Sequence, residues 1–195
     1  MKIVIASNNA AKSKEIQAIF GQEGFESVLQ SEFNIGSVEE TGLTFAENAI
    51  LKARHAAKHT NMSAVADDSG IIVDALLDEP GIYSARYAGE NATDEENNEK
   101  LLARVRDLPE SKWDARFVCV IVFLRTPTDP LPIICEGVWK GKINPESFGE
   151  NGFGYDPIFF LPERNCTSAQ LPPELKNKIS HRGQALQKLK NQLYL

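Results

Sequence analysis

The chain opens with a short apolar run, Ile3 to Ala6, that ends in the polar residues Ser7-Asn8-Asn9. From about Lys12 to Phe20 the apolar residues Ile16, Ile19 and Phe20 share one helical face. The pattern predicts a strand, a polar turn and a helix, a common opening of an α/β protein. Thr44-Phe45-Ala46-Glu47 has the form of a capping box and precedes an alanine-rich stretch to about His59, which predicts a second helix. Thr93 to Glu96 repeats the signal ahead of Leu101, Leu102, Val105 and Leu108, again on one face. Phe117 to Leu124 is almost unbroken in apolar character and rich in β-branched and aromatic residues, which predicts a central strand. Ile133 to Trp139 is its expected neighbour, with Thr126 to Pro132 as the turn, because Pro127, Pro130 and Pro132 cannot sit inside a paired strand. Gly149 to Asp156 is glycine-rich, and Gln184 to Leu193 has the spacing of a final amphipathic helix. The fold class is α/β, with a mixed sheet expected rather than a purely parallel one.

Composition narrows the function classes. The 195 residues are 42% apolar and 25% charged, ordinary for a soluble globular protein of about one domain. A net charge of −6 argues against a nucleic-acid polymer as partner, whereas a small anion held by a few converging cations stays compatible. Cys119, Cys135 and Cys166 show no C-x-x-C spacing, and the first two lie in apolar runs as expected of reduced buried thiols. Ile3 to Ala6 is too short for a signal peptide and no apolar run reaches membrane-spanning length, so a cytoplasmic protein away from membranes is expected.

Five segments carry residues suited to chemistry. Ser7-Asn8-Asn9-Ala10-Ala11-Lys12 joins strand to helix and offers hydroxyl, amides, backbone N–H groups and a lysine, as a phosphate cradle would. A polar turn with an N-cap accounts for the same letters. Glu39-Glu40-Thr41-Gly42 precedes the capped helix, on which Asn48 and Lys52 share a face; an acid complementing the helix dipole and a solvated lysine explain this equally. Ala66-Asp67-Asp68-Ser69-Gly70 lies between apolar residues and reads as two carboxylates at a strand end. Adjacent carboxylates repel unless a cation attends them, and hard oxygen ligands suit Mg²⁺, although an Asp-Asp-Ser-Gly turn is the alternative. In Asn151-Gly152-Phe153-Gly154-Tyr155-Asp156-Pro157, aromatics alternate with glycines as they would against a flat ligand, or as in a hairpin packing its rings inward. Lys176 followed by Ser180-His181-Arg182-Gly183 can bind an anion or a base edge, or form a helix start with exposed basic residues.

Taken in order, these segments resemble the inosine/xanthosine triphosphate pyrophosphatase (Ham1-like) family across essentially the whole chain. The matching residues are Ser7, Asn9 and Lys12; Glu39 to Phe45 with Glu47-Asn48-Ala49 and Lys52-Ala53; Ala66 to Gly70; Pro80 to Tyr87; Gly152 to Pro157; and Ser180 to Gly183. The chain departs from the family at position 8, where Asn8 stands in place of the usual glycine and offers tolerance of left-handed backbone instead.

The resemblance implies an elongated mixed β-sheet with flanking helices, forming two lobes around a central cleft, in one domain over residues 1–195. It implies Mg²⁺-dependent hydrolysis of altered purine nucleoside triphosphates (ITP, dITP, XTP) to monophosphate and pyrophosphate, which keeps them out of DNA and RNA. By the same resemblance Ser7, Asn8, Asn9, Ala10, Ala11 and Lys12 hold the triphosphate, with Lys52 nearby. Glu40 and Asp68 bind magnesium, Asp68 is also the general base, and Ser69 touches substrate. Phe153, Gly154, Tyr155, Asp156, Lys176, His181 and Arg182 form the base pocket, and the members are homodimers. Hydrogen-bond donors such as Lys176, His181 or Arg182 would pair with a 6-oxo group and oppose the 6-amino group of adenine. Two other classes bear comparison. A non-catalytic nucleotide sensor would not need both Glu40 and Asp68. A Maf-like pyrophosphatase for modified nucleotides fits the Gly152–Pro157 and Ser180–Gly183 segments poorly.

Overall fold

The computed structural model describes residues 2–22 and 25–193. The expected opening is present as β1 (Lys2–Ile5) and α1 (Ala10–Gln22), with the Asn9 side-chain oxygen accepting from the Lys12 backbone N–H at 3.0 Å to start the helix. After β2 (Glu26–Leu29) comes α2 (Phe45–Thr60), capped by Thr44, whose hydroxyl accepts from the Glu47 N–H. β3 (Ser63–Val73), α3 (Asp94–Arg106), β4 (Asp114–Leu124) and β5 (Ile133–Ile143) follow, and Thr93 and Glu96 close a full capping box on α3. The chain ends with β6 (Phe159–Leu161), β7 (Cys166–Thr167), α4 (Pro173–Ile179) and α5 (His181–Leu193).

The seven strands make one sheet in the order β2-β1-β3-β4-β5-β6-β7. β1 pairs parallel with β2 and β3, whereas β6 pairs antiparallel with β5 and β7, so the sheet is mixed as expected. Two compact units divide the chain, one of residues 1–68, 119–137 and 182–195, the other of 69–118 and 138–181.

In the first unit, both faces of β1 and β3 are buried, and strand alternation sorts their side chains into two cores. Ile3, Ile5 and Val65 face α1 and α5 through Ile16, Phe20, Ala185, Leu186 and Leu189. Val4, Ala64 and Ala66 face α2 through Ala49, Ala53, Ala56 and Ala57. Four alanines on one helical stripe present little side-chain bulk between helix and sheet, which brings the backbone of α2 close to β1. A fully buried isoleucine or phenylalanine contributes about 1.5–3 kcal/mol, so these two faces hold the strand's register firmly. In the second unit, Ile71 and Val73 of β3 share a core with Leu101 and Val105 of α3, Phe117, Trp139 and Phe159.

One expectation is corrected. Asp67 and Asp68 lie in the middle of β3 and not at a strand end or turn. Strand pairing and burial on both flanks carry the extended backbone straight through the acidic pair. No helix among the described residues is long and apolar enough to cross a membrane.

Candidate active site

Because Asp67 and Asp68 are consecutive strand residues, they continue opposite faces of β3. Asp68 extends the face covered by α2. Asn48 and Lys52, one turn apart on that helix, both reach it: Asn48 Nδ2 donates to Oδ2 at 3.2 Å and Lys52 Nζ to Oδ1 at 3.0 Å. The same ammonium lies 2.8 Å from Glu40 Oε1, so the two carboxylate oxygens are no farther apart than the sum of those distances. Asn48 Oδ1 also accepts from the Gly42 N–H at 2.8 Å, which pins the Glu40-bearing loop to the helix.

Charge and burial set the protonation of this cluster. Burial raises the Asp68 pKa above the usual aspartate value, and Lys52 and Lys12 only partly offset it. For Lys52 burial acts downward but is outweighed by Asp68, Asp67 and Glu40, so its pKa is raised and it stays charged.

Asp67 extends the other face. Arg182 at the start of α5 holds its Oδ2 through Nη2 at 3.0 Å and Nε at 3.3 Å, and Lys12 Nζ lies 3.7 Å away. Arg182 also donates to Glu15 of α1, one turn beyond Lys12. Burial alone would raise the Asp67 pKa, but Lys12 and Arg182 hold the carboxyl well below the ordinary range. The Cys119 thiol, 3.9 Å from Asp67, is pushed up by burial and by that negative charge and stays a thiol.

The Ser7 to Lys12 loop is held by its own side chains. Ser7 Oγ accepts from the Asn9 N–H at 3.2 Å, and Asn8 Oδ1 accepts from buried Gln30 at 2.6 Å. Asn8 is not among the residues with positive φ, so the tolerance of left-handed backbone expected of it is not used. Its side chain anchors the loop instead.

In the second unit, Asp156 is the hub of the glycine-rich segment. Its Oδ2 accepts from Lys176 Nζ at 2.7 Å and from the Phe153 N–H at 2.8 Å, and its Oδ1 from Ser168 at 2.7 Å. Lys176 Nζ sits 4.8 Å from the centre of the Phe153 ring, a cation–π contact. Gly152 has φ 83°, and a Cβ there would fall 2.1 Å from Asp156 Oδ2, so glycine is required on both grounds. The Gly154 backbone is gripped by α3, its N–H donating to Asp94 and its carbonyl accepting from Asn98. Tyr155 points into the core, its hydroxyl donating to the Ser84 carbonyl at 2.8 Å. His181 stacks on Phe117, 4.7 Å between ring centres and 10° from parallel.

The residues expected to bind triphosphate and metal therefore meet within the first unit: Lys12 at Asp67, and Lys52 with Glu40 at Asp68. Phe153, Asp156 and Lys176 meet within the second. Arg182, expected beside them, belongs to the first unit and clamps Asp67. Ser69 follows Asp68 in β3, half-buried. The expectations placed Asn48 on one face with Lys52 but gave it no role, and did not include Glu15, Gln30 or Ser168. Helical spacing to Lys12 could have found Glu15, but no local signal marks the other two.

Two carboxylates flanking one ammonium form a place prepared for positive charge, and hard oxygens in that number suit Mg²⁺, which completes its shell with waters and phosphates. Among the described residues no cluster of three or more His, Cys, Asp or Glu side chains forms an all-protein metal site. A site of two acids completed by a phosphate ligand fits both observations.

Known proteins resemble this chain over nearly its whole length. Residues 3–192 match the sequence profile of the Ham1 family. The dITP/XTP pyrophosphatase of Vibrio parahaemolyticus is 57% identical over 192 residues, 98% of this chain and 96% of that one. The dITP/XTP pyrophosphatase of Salmonella typhimurium is 56% identical over 96% of this chain and 95% of its own. Among solved structures, a HAM1 protein from Coxiella burnetii superimposes with a TM-score of 0.92 at 49% identity, over 100% of this chain and 98% of that one. A nucleoside-triphosphatase, also a dITP/XTP pyrophosphatase, from Mycobacterium abscessus gives a TM-score of 0.77 at 42% identity, over 97% of each chain.

Proposed function

The chain belongs to the Ham1 family, and from that premise we propose that it hydrolyses dITP, ITP and XTP to the nucleoside monophosphate and pyrophosphate. The observation that carries this reading is the double grip on Asp68: Asn48 and Lys52 fix both of its oxygens while Lys52 holds Glu40 beside it.

In the proposed reaction, residues 1–195 act as one catalytic domain. The N-terminal N–H groups of α1 and the loop Ser7 to Lys12 bind the triphosphate, with Lys12 and Lys52 neutralising its charge. Glu40 and Asp68 are the residues that would hold Mg²⁺, which when bound would balance the phosphate charge and favour ionisation of water. Asp68 orients the attacking water and accepts its proton, and its raised pKa makes it a stronger base than an ordinary aspartate. Asn48 and Lys52 keep that carboxylate in one orientation. Arg182 positions Asp67 and Glu15 behind the loop. Lys176 and His181, steadied by Asp156 and Phe117, supply donors for a 6-oxo purine, and an adenine amino group would face a donor there.

Pyrophosphate release from dITP, ITP, XTP, ATP and GTP, each with Mg²⁺ and with chelator, tests the reading. Rapid release from the first three in Mg²⁺ alone is expected; equal turnover of ATP would contradict it. We further propose that the protein is a cytoplasmic homodimer, after the family resemblance, which sedimentation at micromolar concentration tests.

A further inference from the structure

The segment Pro80 to Tyr87 supplies no group to the proposed reaction. It contains a 3-10 run, Gly81–Arg86, with Ser84 buried near its centre. Ser84 Oγ accepts from the Ile71 N–H at 3.0 Å and donates to the Gly81 carbonyl at 2.6 Å. A buried strand amide ordinarily finds its acceptor on a neighbouring strand, but here a side-chain hydroxyl serves. The fit leaves no slack. A Cβ on Gly70 would fall 2.3 Å from the Gly81 carbonyl oxygen and 2.5 Å from Ser84 Oγ. Gly70 is two residues beyond Asp68 in the same strand and directly follows Ser69.

The Ser84 carbonyl accepts the Tyr155 hydroxyl at 2.8 Å. Burial pushes that hydroxyl's pKa up, so it remains a donor throughout the physiological range. Tyr155 follows Gly154, which Asn98 holds, and directly precedes Asp156, which fixes Phe153 and Lys176. α3 reinforces the same connection: Asn97 binds the Ala85 carbonyl and the Ala88 N–H, while its neighbour Asn98 binds the Gly154 carbonyl.

We propose that Ser84 is a positioning residue that locks the Gly70-Ile71 stretch of β3 to the Phe153–Asp156 loop, so that Ser69 and the loop proposed to read the base keep one fixed geometry within the second unit. This rests on the pyrophosphatase reading and deepens it. Ser84 acts through β3 and through Tyr155 and touches no substrate itself.

The test compares full-length wild type, Y155F and S84A in steady-state pyrophosphate release from ITP and ATP with Mg²⁺, alongside thermal unfolding. Y155F removes one hydroxyl without changing shape. It is expected to raise KM for ITP about five-fold, the size of one buried hydrogen bond, with kcat within about two-fold of wild type and a reduced preference for ITP over ATP. S84A also frees the Ile71 amide and is expected to lower kcat about ten-fold. Variants that melt earlier yet keep wild-type kcat and KM would overturn the proposal and leave the pyrophosphatase reading standing. If S84A does not fold, the isosteric Y155F decides alone. A wild type inert on ITP would overturn the pyrophosphatase reading and this inference together.

Discussion

Asp67 and Asp68 are adjacent in the chain yet serve opposite faces of β3, one held by Arg182 and the other by Asn48 and Lys52. Pleating alone separates them, and it gives the two acids opposite pKa shifts, Asp67 down and Asp68 up. Substituting them should therefore give different phenotypes. D68N should cut kcat about 10²- to 10⁴-fold, the range for a lost general base, while unfolding stays cooperative near the wild-type temperature. Assays of turnover and melting on one preparation check this, and undiminished turnover would remove Asp68 from the mechanism.

D67N should act first on stability. It weakens the main anchor of buried Arg182, and breaking a buried pair costs about 3–5 kcal/mol. Because Glu15 still holds one guanidinium nitrogen, the lower end is expected in denaturant unfolding.

Acid stability follows from the same group. The folded-state pKa of Asp67 lies below its unfolded value of about 3.9. Its contribution is thus complete well above pH 4 and is lost as pH falls through the unfolded and then the folded value. The wild-type melting temperature should fall more steeply than that of D67N below about pH 4, and parallel curves would rule this out.

Catalysis should also fail in acid, but at higher pH, because the shift at Asp68 is upward where that at Asp67 is downward. A general base must be ionised, so kcat/KM should fall on the acid side at a pH above the ordinary aspartate pKa. In K52M the chief opposing cation is gone, Asp68 rises further, and the acid limb should move to higher pH. A pH–rate profile that keeps its acid limb in K52M would show that Lys52 does not tune this carboxylate.

At Gly152 a methyl group would meet Asp156 and strain a backbone at φ 83°. G152A should lose about 1–3 kcal/mol of stability and raise KM for ITP, since Asp156 also orders Lys176 and Phe153. Unchanged KM and melting would show that the loop yields without cost.

Much of the fold was legible in the sequence because local signals were complete. Thr44 with Glu47 and Thr93 with Glu96 mark their helices by side-chain chemistry that needs no tertiary context, and the prolines at 127, 130 and 132 fix the turn before β5. The acidic pair was misplaced to a strand end because its local polarity resembles a turn, whereas burial from both sides, a tertiary effect, keeps it extended. Asn8 was read through the backbone freedom of the glycine it replaces, but its bond to Gln30 spans 22 positions and leaves no trace in local spacing. Arg182 and His181 look like one motif, yet the helix start directs one to Asp67 and the other to Phe117.

Under the proposed function, Asp68 and Glu40, with Lys52 between them, are a magnesium-dependent centre for splitting altered purine triphosphates. Titrating Mg²⁺ into chelator-treated protein with dITP, while following pyrophosphate, tests it most directly. Expected are no release without the metal, saturable activation with it, and loss of that activation in both D68N and Glu40→Gln. Full release of pyrophosphate in excess chelator, or metal activation undiminished in both variants, would contradict it.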